Sequence, residues 1–307
     1  MKPEPADTFA QIKPDIIYWR YNKKKLLKTI RAAKGFGIPF VFAISSKQDP
    51  QLFGWRFNKK KTVIKTVLNI AEQIVSSVWN YFGFLQVDAV TSLNSRYIKY
   101  VPVKNKRVVY NTVYKEQGDI VSPQKPYVLW VANLKSTKRP EAFIDLAKRM
   151  KDSDLHFIMI GRMDITYQRY VENAERELAN FKYIGGASPL EVNALLKTAL
   201  CLVHTCKPEG FGNIFIQSWF QGCPTISYTF DPDNFIQLHG LGFVSGNLGR
   251  LAKDIKKIKN NPVLRQKLSD NSIHTATKFF DQNRLGNQLE DLFQELCLPK
   301  DQNKHMT

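Results

Sequence analysis

Short apolar, β-branched runs alternate with segments of helical periodicity along the whole chain, and that alternation leaves few folds open. DIIYW (15–19), PFVFAI (39–44), VDAVTSL (87–93), RVVYN (107–111), YVLWVA (127–132), HFIMIG (156–161), FKYIG (181–185), CLVHT (201–205) and PTISY (224–228) read as strands. Most of them are apolar at nearly every position, not at alternate ones. Such strands are covered on both faces, the condition of parallel sheets packed between helices. The intervening segments, including RPEAFIDLAKRM (139–150), SPLEVNALLKTA (188–199) and NIFIQSWFQG (213–222), supply those helices. The expected class is α/β with parallel sheets.

A length of 307 residues suits two domains. The break is expected at YKEQGDIVSPQKP (114–126), which is polar and carries Gly118, Pro123 and Pro126 before a fresh strand–helix series begins at Tyr127. That gives two Rossmann-like domains, 1–120 and 121–297, and a polar tail at 298–307. Helical pattern resumes at 248–259, 262–278 and 281–297. Gly35-Phe-Gly37 lies between a helical pattern and a strand and is expected to cap the helix, not to cradle a nucleotide.

The chain carries 45 Lys and Arg against 27 Asp and Glu, a net charge of +18. Residues 1–120 hold 21 basic and 8 acidic residues (+13), and the remainder holds 24 against 19 (+5). The first third therefore faces something anionic: a lipid surface, a nucleic acid or a phosphorylated substrate. No uninterrupted apolar run of about 18 residues occurs, so no transmembrane helix is expected. The N-terminus has no signal-peptide character. Cys201, Cys206, Cys223 and Cys297 lack paired metal spacing and are expected to be reduced core residues of a cytoplasmic protein.

The densest chemistry lies in HTCKPEGFGNIFIQSWFQGCPTIS (204–227). A strand ends at His204–Thr205, a loop follows with Glu209 and two glycines, and a helix starts near Asn213. Gly210 and Gly212 permit close backbone approach to a ligand. The unpaired N–H groups of the helix start, with the positive end of its dipole, suit phosphate oxygens. Glu209 can accept hydrogen bonds from sugar hydroxyls, and Gln217 lies about two turns further along roughly the same face.

This segment resembles the C-terminal domain of the retaining GT-B glycosyltransferases, the family 4 (group 1) type. That family carries a Glu, seven residues and a second Glu in an E-G-F-G-like context; here Glu209-Gly210-Phe211-Gly212 is followed by Gln217 at the second position. In the family the first strand of the donor domain ends in G-R-L with a Lys before the next helix, the Arg and Lys binding the donor diphosphate. In VANLKSTKRPE, Asn133 takes the Arg position and Lys138 the Lys position, leaving Lys135 or Arg139 to supply the missing charge. The alternative is that Lys138 and Arg139 only solvate a helix start. HFIMIGR, with Gly161 and Arg162, resembles the strand whose terminal Gly lies near the nucleotide. FKYIGGASPLEVNALL resembles the elements that cradle the base, and VVYNTV (108–113) the closing strand of the N-terminal domain.

The resemblance implies a GT-B fold and retaining transfer of a hexose from a UDP- or GDP-linked donor to a hydroxyl acceptor, in surface polysaccharide or glycolipid assembly. It assigns Glu209 to the sugar, Gln217 to the ribose hydroxyls, and Lys138 with the amides of Gly212, Asn213 and Ile214 to the diphosphate. No cofactor and no metal are assigned. The family's opening strand and Gly-rich loop are not visible before IKPDIIYWR, so a truncated N-terminal domain is expected. Its usual His is not visible after FVFAI either. Asp49 or Ser46 takes that place in the cleft, or both are ordinary loop polarity.

Two lysine clusters remain, Lys23–Lys25 and Lys59–Lys61. The second introduces an apolar stripe at helical spacing (Ile64, Val67, Leu68, Ala71, Ile74, Val75, Val78, Phe82). The stripe is expected to pack on the first sheet, and the lysines with Trp55 to meet an anionic membrane surface, which would hold the protein peripherally on the inner face. The acceptor is then a lipid-linked or saccharide hydroxyl. A catalytically impaired nucleotide-sugar- or partner-binding protein is the alternative. Nucleic acid is excluded, because the lysines are not interleaved with a stacking platform.

Overall fold

A computed structural model describes residues 4–20, 26–45, 49, 74–75, 77–79, 81–99, 101–119, 123–207 and 210–298. Both lysine clusters, Ser46, Trp55, the stripe positions 64–71 and, most consequentially, Glu209 lie outside the described residues. The chain forms two compact units: Met1–Tyr110 with Asn283–Thr307, and Asn111–Gln282. The sequence division at 120 and 297 differs at both ends, since the last helix groups with the first unit.

In the first unit, strands β1 (Ile17–Arg20), β2 (Phe40–Ile44), β3 (Ala89–Ser92) and β4 (Lys106–Val108) form a parallel sheet in the order β1-β2-β3-β4. The registers pair Ile17 with Phe40, Val41 with Ala89 and Val90 with Lys106. One face packs Phe40, Phe42, Ile44 and Val90 against Leu26, Ile30 and Ala33 of a helix spanning Leu26–Gly35, with Phe84 and Ile98. The other face, through Val41 and Ala89, is covered by Leu292 of the final helix, Gln282–Cys297. Phe293 of that helix meets Tyr18 edge-on at 5.8 Å, and Glu295 accepts from Arg107 at 2.6 Å. Sequence order gave no hint of this return.

Gly37, at φ +70°, ends the first of these helices, its N–H donating to Lys34 O at 3.0 Å while Ile38 N donates to Ala33 O at 2.9 Å. Gly35-Phe-Gly37 is thus a helix cap. The apolar stripe requires correction. Its described members Ile74, Val75, Val78 and Phe82 are exposed, with Trp79 half in solvent, and from this stretch it is Phe84 that enters the core. Helical period predicts an apolar face but not what covers it.

The second unit holds a six-stranded parallel sheet of β5 (Tyr127–Val131), β6 (His156–Ile160), β7 (Phe181–Tyr183), β8 (Cys201–His204), β9 (Thr225–Ser227) and β10 (Gly242–Val244), in the order β10-β9-β8-β5-β6-β7. The chain runs outward from β5 to β7, then returns to the other side of β5 with β8. Helices cover both faces, as the all-apolar strands require. One core gathers Trp130, Phe143, Phe157, Met159 and Ile255, the other Leu129, Ile158, Leu195 and Leu202. The nine strands read from sequence are all present. The tenth, β10, was missed: it is three half-buried residues, and Gly242 (φ +150°) is needed because a Cβ there would lie 1.8 Å from Thr225 O.

Cys201, Cys206 and Cys223 are buried free thiols, but Cys297 is exposed near the end of the last helix, which corrects its placement in the core. Burial drives the Cys201 thiol well above its ordinary range and that of Cys223 up to about 12. No helix among the described residues is long and apolar enough to cross a membrane.

Candidate functional site

The reversal of strand order between β5 and β8 places their two following loops on opposite sides of a crevice at the carboxyl edge of the sheet. In open α/β sheets this is where ligands bind. The loop after β5 runs from Ala132 to Arg139 and enters a helix at Pro140–Arg149 (α-helix A); after β8 the described residues are Thr205–Lys207 and Gly210–Gly212, the latter entering a helix at Asn213–Phe220 (α-helix B). Asn133, Lys138, Gly210, Phe211, Gly212, Asn213 and Ile214 all belong to these two loops or helix starts.

Backbone and buried side-chain bonds tie the loops together. Lys207 N donates to Thr137 O at 2.9 Å. Thr205, wholly buried, accepts from Trp130 Nε1 at 2.8 Å, and its hydroxyl has the Lys138 carbonyl at 2.8 Å and the Arg139 carbonyl at 3.0 Å as acceptors. The backbone that carries Lys138 is therefore fixed from behind. On the other side Leu134 N donates to Arg162 O at 2.9 Å, and Leu134 bridges Met163, which extends the β5–β6 pairing past the strand ends.

Gly161 closes this corner. Its φ is +146°, and a Cβ there would fall 1.8 Å from Ala132 O. Only glycine fits so close a backbone crossing. Its N–H donates to Gly185 O at 2.8 Å and its carbonyl accepts from Tyr183 OH at 2.8 Å. Arg162 is exposed, with its Cγ beside Gly186.

The cations around the crevice have distinct surroundings. Lys138 is half-buried and Asn133 exposed. Arg139 takes a left-handed conformation (φ 52°) and lays its guanidinium over the Tyr228 ring at 4.3 Å. Lys135 is exposed near Asp164, whose carboxyl is held below its ordinary range chiefly by the Thr166 N–H, then by the Thr166 hydroxyl, with Lys135 contributing. Of the two substitutes for the missing family Arg, Lys135 thus shares its field with a carboxylate and Arg139 is held by a ring.

At the start of α-helix B, Gly212 has φ +90°, and Phe215 N donates back to Gly212 O at 3.1 Å. Phe211 is buried, packed on Phe280 at 5.4 Å, Phe235 at 5.8 Å and Trp219 at 6.2 Å. Its side chain anchors the loop in the core, so any ligand contact from position 211 is made by backbone. Ile214 likewise packs against the second core, and Asn213 Oδ1 accepts from Asn111 Nδ2 at 2.7 Å. Gln217 is half-buried one turn further on, with Nε2 3.2 Å from Asn193 Oδ1.

Two buried polar residues escaped the sequence reading. Thr205 stood at a strand end with nothing to mark its double bonding. Asn193 interrupts the apolar stripe Val192, Leu195, Leu196, and a polar residue there is a signal, since a buried amide needs partners.

Residues 115–275 match the sequence model of a family described as glycosyl transferases, group 1. No curated protein was found to be similar in sequence. Among solved structures, the Anabaena protein HepE in complex with UDP is similar at a TM-score of 0.73 and 15% identity, over 95% of this chain and 82% of that one. A glycosyltransferase from Rickettsia africae matches at 0.71 and 13% identity, over 95% and 79% of the two chains. Sucrose-phosphate synthase from Thermosynechococcus elongatus matches at 0.69 and 14%, over 94% and 75%. The HepE structures also include a complex with UDP-glucose. At these identities the structural likeness establishes the two-domain GT-B architecture with parallel Rossmann-like sheets.

Proposed function

We propose, for a chain that belongs to the glycosyl transferases of group 1, that it moves a hexose with retention from a UDP- or GDP-linked donor to a hydroxyl acceptor, as a family 4 type enzyme of surface polysaccharide or glycolipid assembly. The observation that carries the reading is the tied pair of loops at the β5/β8 reversal, where the Lys138 backbone is bonded to Thr205 at the end of β8. As the glycosidic bond to the nucleotide breaks, negative charge grows on the diphosphate. Preorganised donors that meet it lower the barrier without reorganising. In this reading Lys138 and the amides of 212–214 meet that charge, Arg162 or Arg139 adds a second cation, Glu209 holds the sugar and Gln217 the ribose. No metal is assigned. HepE, similar in fold, was crystallised with UDP-glucose, which makes UDP-glucose the first donor to try.

The acceptor and membrane parts of the proposal rest on the first third. Its charge is +13, and its described apolar residues Val75, Trp79 and Phe82 are each about half exposed, with Arg31 lying 6.0 Å from the Trp79 ring. Cations beside exposed aromatics suit an anionic lipid surface, each contributing about 1 kcal/mol. In the proposed reading the acceptor lies at a membrane and the protein on its inner face.

Thermal shift with UDP, GDP and their hexoses, followed by a transfer assay, tests the reading. A donor at 100 times its Kd should stabilise by about 2.7 kcal/mol. Lys138→Ala should raise donor KM at least tenfold with little change in melting temperature, and Glu209→Ala should abolish transfer. Binding without transfer to any acceptor would favour the impaired binding protein; transfer unaffected by Glu209→Ala would sink the site assignment.

A further inference from the structure

Position 217 differs from the family pattern, and the packing behind it gives a reason. Asn193 lies on a helix spanning Pro189–Thr198 and is wholly buried. Its Nδ2 donates to two backbone carbonyls of the segment that opens the second unit, Tyr114 O and Glu116 O, both at 2.8 Å. Two carbonyl acceptors on one side require the amino group there, so Oδ1 must lie on the other side. That side meets Gln217, whose Nε2 is 3.2 Å from Oδ1. A carbonyl oxygen accepts only from a donor, and the orientation of the Gln217 amide is thereby set. Among the described residues, no donor is bonded to the Gln217 Oε1.

We propose that Asn193 is a positioning residue that holds the Gln217 amide with Nε2 turned back and Oε1 presented as an acceptor to the donor's hydroxyls. This rests on the donor-binding reading above. It also explains the residue type. A carboxylate at 217 would set oxygen against Asn193 Oδ1, and Asn193 cannot turn over without giving up both carbonyls. Position 217 is therefore an amide because of what lies behind it, and the chain from the Tyr114 and Glu116 carbonyls through Asn193 to Gln217 acts as one unit.

A double-mutant cycle over Gln217→Glu and Asn193→Ala decides the matter. The readouts are the melting temperature without nucleotide, the Kd for whichever of UDP and GDP the parent binds, and the donor KM and kcat. In the native background Gln217→Glu should lower the melting temperature by several degrees and weaken nucleotide binding about tenfold, near 1.4 kcal/mol. The loss should appear in KM, with kcat changed less than threefold. In the Asn193→Ala background the same change should weaken binding less than threefold, because the opposing oxygen is gone. Asn193→Ser takes its place if the alanine variant does not fold. The proposal is overturned if Gln217→Glu binds nucleotide as tightly as the parent, or if its loss is equal in both backgrounds. If the parent binds no nucleotide, the functional reading fails, while the melting-temperature cycle still shows whether positions 193 and 217 are coupled: additive shifts overturn the positioning role, non-additive ones sustain it.

Discussion

Replacing Thr205 with valine keeps the side-chain shape and removes one hydroxyl, so its effect isolates the bonds that hold the Lys138 backbone. The hydroxyl accepts from Trp130 Nε1 at 2.8 Å and is offered the carbonyls of Lys138 and Arg139 at 2.8 and 3.0 Å, all at a residue with no exposed surface. Its one hydrogen serves the two carbonyls in turn, so valine orphans one donor and one acceptor site. An unsatisfied buried group costs roughly 1–3 kcal/mol, and two give about 2–4 kcal/mol after partial relaxation. For a unit the size of Asn111–Gln282, each kcal/mol shifts the melting temperature by about 2–4 °C, which predicts a fall of about 5–15 °C. Thr205→Ser keeps the hydroxyl and loses one methyl, at about 1 kcal/mol. Scanning calorimetry of the three proteins is the assay, with UDP titrated into each, because a loosened Lys138 should also weaken nucleotide binding. A valine variant melting within 2 °C of the parent, or a serine variant falling as far as valine, would refute the reasoning.

Gly161→Ala should destabilise by at least about 3 kcal/mol, read as a large drop in melting temperature or loss of folded protein, because the Cβ meets the Ala132 carbonyl 1.8 Å away and backbone must move. Native protein treated with a thiol reagent at pH 8 should label at Cys297 alone, with Cys201, Cys206 and Cys223 reacting after unfolding; rapid labelling of a second thiol would contradict their burial. The raised folded values of Cys223 and Tyr127, each about 12 against 9.0 and 10.0, mean that the folded state keeps protons the unfolded chain releases. Stability is then full below about pH 9 and declines toward pH 12, by up to about 1.4 kcal/mol per pH unit per group; a melting temperature unchanged between pH 8 and 10.5 would argue against it.

The second unit was legible because its constraints are local. Strands covered on both faces are apolar throughout, as in YVLWV and CLVH, and a backbone that must pass close to another, as at Gly161, leaves a glycine in the sequence. What stayed hidden depends on distant partners. Gly242 is required by Thr225 in the neighbouring strand, the final helix returns through Leu292 to Val41 and Ala89, and the stripe around Val75 and Phe82 has a period but no cover. Phe211 shows what motif matching leaves open: E-G-F-G marks the position, but not that its ring lies among Trp219, Phe235 and Phe280.

Phe211 anchors one loop in the aromatic core, Thr205 and Lys207 bind that loop to its neighbour, and Leu134 binds the neighbour to Arg162. These bonds are all internal to the protein, and they hold the Lys138 backbone to the end of β8. Under the proposed function, backbone held in this way loses little freedom when a diphosphate arrives and need not reorganise as its charge grows. Buried bonds of this kind link affinity to stability. A change at Thr205 that lowers the melting temperature should therefore also weaken nucleotide binding, whereas a change at the exposed Asn133 should touch binding alone.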